Sequence, residues 1–218
     1  MTRVALIHAL AHSIAPINAA LERAWPQCVR MNLLDDSLSA DLARSGGRLD
    51  GAMTARFEAL AAYAVGTGAQ GLLFTCSAFG PCIDAVARAH PGLPVLKPNE
   101  AMIAEAVASG RRIGLVATFA PTLASMPSEF PPGVDVVPTL AEGALDALDR
   151  GDASAHDALV AAAAQRAAAA GCDVVALAQF SMARAAAAVA TEVPVPVLTT
   201  PESAVRALAA RLGVHVGG

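Results

Sequence analysis

Apolar and polar positions fall into two alternating patterns along this chain. Short apolar runs, each bounded by glycine, proline or small polar residues, recur at wide intervals. They predict strands at Val4–His8, Leu72–Thr75, Val95–Leu96, Ile113–Ala117, Val174–Ala178 and Val197–Thr199. Longer alanine-rich stretches lie between them. These predict helices near Ile17–Trp25, Met53–Gly66, Cys82–His90, Ala101–Ala108, Ala144–Ala170, Ala183–Ala190 and Glu202–Leu212, the longest broken around Gly151-Asp152. Asp36 to Leu42 reads either as a helix start or as a loop. Strands without internal polar positions are buried on both faces. Alternating with helices, they predict an α/β fold with parallel sheets flanked by helices.

The pattern also repeats. Arg3-Val-Ala-Leu-Ile-His-Ala matches Arg112-Ile-Gly-Leu-Val-Ala-Thr. Gly68 to Ala78, containing Leu72-Leu-Phe-Thr-Cys76-Ser, matches Gly171 to Ser181, containing Val175-Ala-Leu-Ala-Gln179-Phe. Pro94-Val-Leu-Lys-Pro-Asn-Glu100 matches Pro196-Val-Leu-Thr-Thr-Pro-Glu202. The offsets of 109, 103 and 102 residues keep order and spacing, so two similar lobes are expected. In open parallel sheets, ligands collect at the carboxyl ends of strands. The segments to examine are therefore His8–Ser13, Thr75–Phe79, Thr118–Thr122 and Gln179–Met182.

Those segments hold one asymmetry. Cys76 ends its strand with a thiol, whereas the matching position holds the amide of Gln179. A helix starting near Pro81 or Cys82 would present free N–H groups and favour a thiolate at Cys76. The competing role is that of a small buried apolar residue. Ser77, the Ala78 N–H, Thr118, Ser181 and the Met182 N–H are candidate donors to a developing oxyanion. His12 and Ser13 are candidate carboxylate ligands, and His8 is weighed as a tuner of Cys76 against a loop or surface residue. Thr118 and Thr122, flanking Pro121, suit anion binding or helix capping. Phe79, Phe119 and Phe180 follow strand ends, either shaping a pocket or filling the core. Cys172 precedes its strand and Cys28 follows Trp25-Pro26, so both read as structural. Cys82 lies on the Cys76 side. Asp35-Asp36 reads as a solvated loop or helix start.

Composition narrows the class. The 218 residues are 55% hydrophobic with a net charge of −4, and much of the excess is alanine. No run of about 18 apolar residues is free of polar interruption, so no membrane span is expected. The charge leaves no basic stripe for nucleic acid. Four cysteines without metal spacing predict reduced thiols, no metal site and a cytoplasmic location. The glycine-rich stretches, Ser45-Gly-Gly47 among them, match no phosphate or dinucleotide loop. The alanine-rich helical surface suits a homo-oligomer.

The strand-end Cys76-Ser77, the segment Val174 to Ala183, the segment Pro196 to Glu202 and the repeat together resemble the aspartate/glutamate racemase superfamily. That group includes hydantoin racemases, maleate isomerases and arylmalonate decarboxylases. The resemblance covers nearly the whole chain. It implies two pseudo-symmetric lobes, residues 1–97 with 203–218 and residues 98–202, and an active site in the cleft between them. It further implies cofactor-independent acid/base chemistry on a small carboxylate or amino-acid-like substrate. Racemases of this kind use two cysteines on opposite faces of a carbon acid. Cys76 fits the first, and Gln179 occupies the second, where an amide neither donates nor accepts a proton at ordinary pH. The resemblance therefore leaves a one-cysteine isomerase, decarboxylase or hydrolase, or a non-catalytic binding protein. Substrate contacts are expected from His12, Ser13, Ser77, Ala78, Thr118, Phe119, Gln179, Ser181 and Met182.

Overall fold

In the computed structural model, which describes residues 1–216, eight strands form two four-stranded parallel sheets. The chain divides into two units, residues 1–98 with 204–218 and residues 99–203. In the first unit the strands are β1 (Arg3–His8), β2 (Val29–Leu34), β3 (Gly71–Phe74) and β4 (Val95–Leu96). They lie in the order β2-β1-β3-β4. Helices α1 (Ile14–Ala24), α2 (Ser37–Arg44), α3 (Gly51–Gly66) and α4 (Gly80–Ala89) connect them. The second unit holds α5 (Glu100–Ser109), β5 (Arg112–Ala117), α6 (Ala120–Ser125), β6 (Asp135–Leu140), α7 (Ala144–Asp149), α8 (Ala153–Ala169), β7 (Val174–Leu177), α9 (Ala186–Glu192) and β8 (Val197–Thr199). Its order, β6-β5-β7-β8, is the same pattern. Helix α10 (Thr200–Arg211) closes the chain.

The central strands follow directly from their sequence. Val4 to Ile7, Leu72 to Phe74, Ile113 to Ala117 and Val174 to Leu177 are buried on both faces. A parallel strand reads as an unbroken apolar run for that reason. In the first core, Phe57 of α3 stacks on Phe74 at 5.4 Å and meets Phe79 at 4.9 Å between ring centroids. In the second, alanines of α8 pack on β5 and β7. Small side chains let that helix sit close: a β-carbon on Gly114 would lie 2.8 Å from the Ala167 β-carbon.

Two strands escaped the sequence pattern. β2 and β6 are each one edge of their sheet, and neither is fully buried. β2 alternates half-buried Val29, Met31 and Leu33 with exposed Arg30, Asn32 and Leu34. β6 contains Pro138, tolerated at an edge because its missing N–H breaks no interior ladder. The break in the long alanine segment falls at Arg150–Asp152, where Gly151 takes a φ of 78°. Asp36 to Leu42 resolves as the start of α2. Arg56 of α3 ties it down, bonding Asp35 and Asp41 at 2.6 Å each. Asp35-Asp36 is thus partly an ion-pair element of the scaffold.

Replacing Gly114 with valine tests the strand–helix approach. Overpacking of this kind costs about 1–3 kcal/mol. The expected result is a lower urea midpoint at unchanged m-value.

Candidate active site

Each sheet reverses direction of growth between its two central strands. β1 is followed outward by β2, whereas β3 is followed outward by β4 on the other side. The crevice at the carboxyl ends of β1 and β3 is therefore a topological switch point, the usual ligand position in such sheets. β5 and β7 form the counterpart. The registers Ile7↔Phe74 and Val116↔Leu177 align the two ends. His8, Ala9, Thr75 and Cys76 in the first unit correspond to Ala117, Thr118, Ala178 and Gln179 in the second.

His8 is fully buried, not a loop or surface residue, and this is the principal correction to the sequence reading. Its imidazole joins two strand ends: Nδ1 lies 2.8 Å from Thr75 Oγ1 and Nε2 lies 3.0 Å from Asn32 Oδ1. Asn32 offers a carbonyl oxygen, so Nε2 carries the proton and donates. Nδ1 then accepts from the Thr75 hydroxyl. That contact is shorter than the 3.4 Å from the same hydroxyl to the Ile7 carbonyl. Asn18 Nδ2 donates to the same Asn32 oxygen at 3.2 Å. Burial lowers the His8 pKa, against a smaller raising effect of the bond to Asn32. The neutral ring braces Thr75, the residue before Cys76. The sequence signal was the lone polar residue closing a fully apolar strand, Val4-Ala-Leu-Ile-His8.

Cys76 follows β3 in extended conformation and opens a single 3-10 turn, Ser77–Phe79, that leads into α4. The Ala78 N–H points at its sulfur. The sequence reading expected the helix start to favour the thiolate. Instead, burial pushes the Cys76 thiol up, and the Ala78 N–H offsets this only partly. One N–H in a short turn cannot replace the water removed from a charged sulfur. Cys76 rests as a thiol beside His8, in a narrow crevice lined by Ile7, Leu38, Phe57 and Phe74.

In the second unit the same place is held differently. Gln179 Oε1 accepts from the Thr118 N–H at 2.7 Å and from the Thr118 hydroxyl at 2.9 Å. Thr118 is therefore not a side-chain cap of α6; its hydroxyl fixes Gln179. The Gln179 NH₂ group has no partner among the described residues, so both of its donors remain available. The segment Phe180–Ala185 follows as a 3-10 helix with Ser181 half-buried and Met182 buried.

The remaining sequence-predicted residues separate. His12 is exposed and Ser13 buried, both in a 3-10 turn after β1. Ser77 and Ala78 are exposed beside Cys76. Phe119 is exposed, whereas Phe79 and Phe180 belong to the cores. Thr122 lies within α6. Cys82 is buried against Thr54, Sγ to Oγ1 3.6 Å. Cys28 and Cys172 are buried too, and burial raises Cys28 to about 11. Among the described residues, no cluster of histidine, cysteine or carboxylate side chains suits a metal ion. None of their helices is long and apolar enough to cross a membrane.

The His8 brace predicts a pH effect on stability. Its folded pKa lies below the ordinary value of about 6.5, so below that pH the unfolded chain binds more protons. The stabilisation is present above about 6.5 and is lost as pH falls through the lowered folded value. Urea unfolding from pH 7.5 to 5 should show this decline. His8→Asn, though less stable at neutral pH, should flatten it.

A comparison with curated protein sequences finds no match. Solved structures do match. Allantoin racemase from Klebsiella pneumoniae superposes with a TM-score of 0.71 at 17% identity, covering 100% of this chain and 91% of that one. Unliganded arylmalonate decarboxylase gives 0.69 at 18%, covering 100% and 94%. Aspartate racemase from Picrophilus torridus gives 0.69 at 12%, covering 100% and 96%. At these identities the likeness speaks for the fold. The Asp/Glu/hydantoin racemase family model matches residues 11–208. With that match over most of its length, the chain belongs to the Asp/Glu/hydantoin racemase family.

Proposed function

We propose that this protein is a cofactor-independent enzyme of single-face proton transfer on a small carboxylate, with Cys76 as the proton carrier. Gln179, at the corresponding strand end of the other unit, presents an amide where Cys76 presents a thiol. The observation that supports this most is the contrast between the two ends. Cys76 is a desolvated thiol, while Gln179 is tethered through its oxygen by Thr118 with its NH₂ group free.

The resting thiol favours chemistry that ends, rather than begins, with proton transfer at Cys76. A 2-substituted malonate would lose carbon dioxide, leaving the bond electrons in an enediolate. The Cys76 S–H would then protonate carbon, and the thiolate would recover its proton from water. Beside Cys76, the exposed Ser77 hydroxyl is a donor suited to a carboxylate or enediolate oxygen. Racemisation needs an acid on the other face, which an amide does not supply. A hydrolytic role is disfavoured. Nucleophilic attack needs the thiolate that burial suppresses, and both nitrogens of His8 are already engaged.

The test is turnover of 2-substituted malonates and α-substituted carboxylates in deuterium oxide, followed by NMR. One deuterium at carbon 2 in a single enantiomer is expected. Cys76→Ala should reduce the rate by about 10²–10⁴-fold; full retained activity overturns the reading. The rate should hold through neutral pH and fall as pH rises through the raised Cys76 value.

A further inference from the structure

The helix after the second strand end starts late. The alanine-rich pattern predicts a helix from Ala183, and the repeat agrees: 103 residues earlier, α4 starts at Gly80. α9 starts only at Ala186. The residues between continue a six-residue 3-10 helix, Phe180–Ala185, against the three residues Ser77–Phe79 in the first unit. The Met182 N–H donates to the Gln179 carbonyl at 3.0 Å, and the Ala186 N–H donates to that of Ala183. A 3-10 run beyond about four residues is uncommon, because its hydrogen bonds are poorer than those of an α-helix. Here it also runs against local preference. Ala183, Arg184 and Ala185 are among the best α-helix formers, and no glycine or proline interrupts them. The tighter winding is therefore imposed from outside the segment.

Arg184 supplies an external tie. Its Nε donates to Asp157 Oδ1 of α8 at 2.9 Å. The same oxygen accepts from His156 Nδ1 at 2.7 Å. A carboxylate only accepts, so Nδ1 carries the proton. His156 is fully buried, and its Nε2 has no hydrogen-bond partner among the described residues. The single polar tie of the ring thus ends on Asp157 and fixes that carboxylate before Arg184 reaches it. An ion pair gains more when one side is already held, since less side-chain freedom is lost. Winding also sets the packing. Residues three apart eclipse in a 3-10 helix, and Met182 and Ala185 are both buried in one core with the alanines of α8.

We propose that Phe180–Ala185 is a two-state segment: a 3-10 helix while the Arg184–Asp157–His156 latch is closed, and the first turn of a longer α9 once it opens. Opening lets residues 183–185 relax to α winding. The rise falls from about 2.0 to about 1.5 Å per residue and the turn from about 120° to about 100°, so these residues shorten by about 1.5 Å and rotate by about 60°. Ser181 and the Met182 N–H stand between that turn and Gln179 and change direction with it. The latch is a conformational control on the second strand end, worked from α8 and not from the strand itself.

NMR of the full chain reads the winding directly, because αN(i,i+2) contacts mark 3-10 winding and αN(i,i+4) contacts mark α winding. At low salt the native chain should show the first kind from Phe180 to Ala185. Asp157→Asn keeps an oxygen that accepts from His156 and removes the charge. Arg184→Gln removes the other charge at equal α-helix preference. Each variant should lose the (i,i+2) contacts over 183–185 and gain (i,i+4) contacts continuous with α9. Salt at about 1 M, where screening reaches about 3 Å, should shift the native chain in the same direction and leave Arg184→Gln unchanged. Arg184 is exposed, so its replacement spares the core, and a cooperative urea transition is the folding control. An intact (i,i+2) pattern in Arg184→Gln overturns the proposal, because packing alone then holds the winding. Loss of both patterns overturns it as well, because the segment then frays without converting.

Discussion

The hydrogen-bonded register of the central strand pairs governs the rest of this structure. β1 with β3, and β5 with β7, run parallel and are buried on both faces, apart from Arg3 and Arg112 at the starts of β1 and β5. Helices cover the faces, and the growth of each sheet diverges from its middle pair. What remains open is the carboxyl end of that pair. A residue gains chemistry here by standing one or two places past the last buried apolar residue. Cys76, Gln179 and Thr118 stand there. A one-residue slip of β3 against β1 would move Thr75 away from His8 and turn Cys76 to the other face.

Two opposing effects meet at Cys76, and their sizes decide its state. The Ala78 N–H favours a thiolate, but burial favours the thiol, and burial is the larger. The start of α4 contributes less than its length suggests, because the 3-10 turn Ser77–Phe79 separates it from the sulfur. Desolvation here is a consequence of packing: Phe57, Phe74 and Leu38 line the same crevice. The core that stabilises the unit thus also sets the protonation state of its one partly accessible thiol.

The sequence made the central strands and the strand-end cysteine legible because both rest on local patterns. An unbroken apolar run ending in small polar residues has few other readings. Of the edge strands, β2 and β6 were not legible for the converse reason. β2 interleaves Arg30 and Asn32 with apolar residues, and β6 contains Pro138, so each resembles a loop until a neighbouring strand pairs with it. His8 was misjudged on similar grounds. A histidine closing a strand is ordinarily exposed, and its burial depends on Thr75 and Asn32, residues 67 and 24 positions away. The Thr118–Gln179 bond spans 61 positions and was equally invisible. Long-range polar pairing is what local pattern cannot express.

The two strand ends also differ in what their polar pairing leaves free. In the first unit the internal bond, His8 to Thr75, sits one residue before Cys76 and leaves its sulfur to a single N–H. In the second, the bonds from Thr118 engage Gln179 itself and occupy its side-chain oxygen. An amide fixed through its oxygen presents only donors. A thiol fixed through its backbone presents a transferable proton. Hence the two strand ends share one backbone path and differ in what they present: amide donors at one and a thiol at the other.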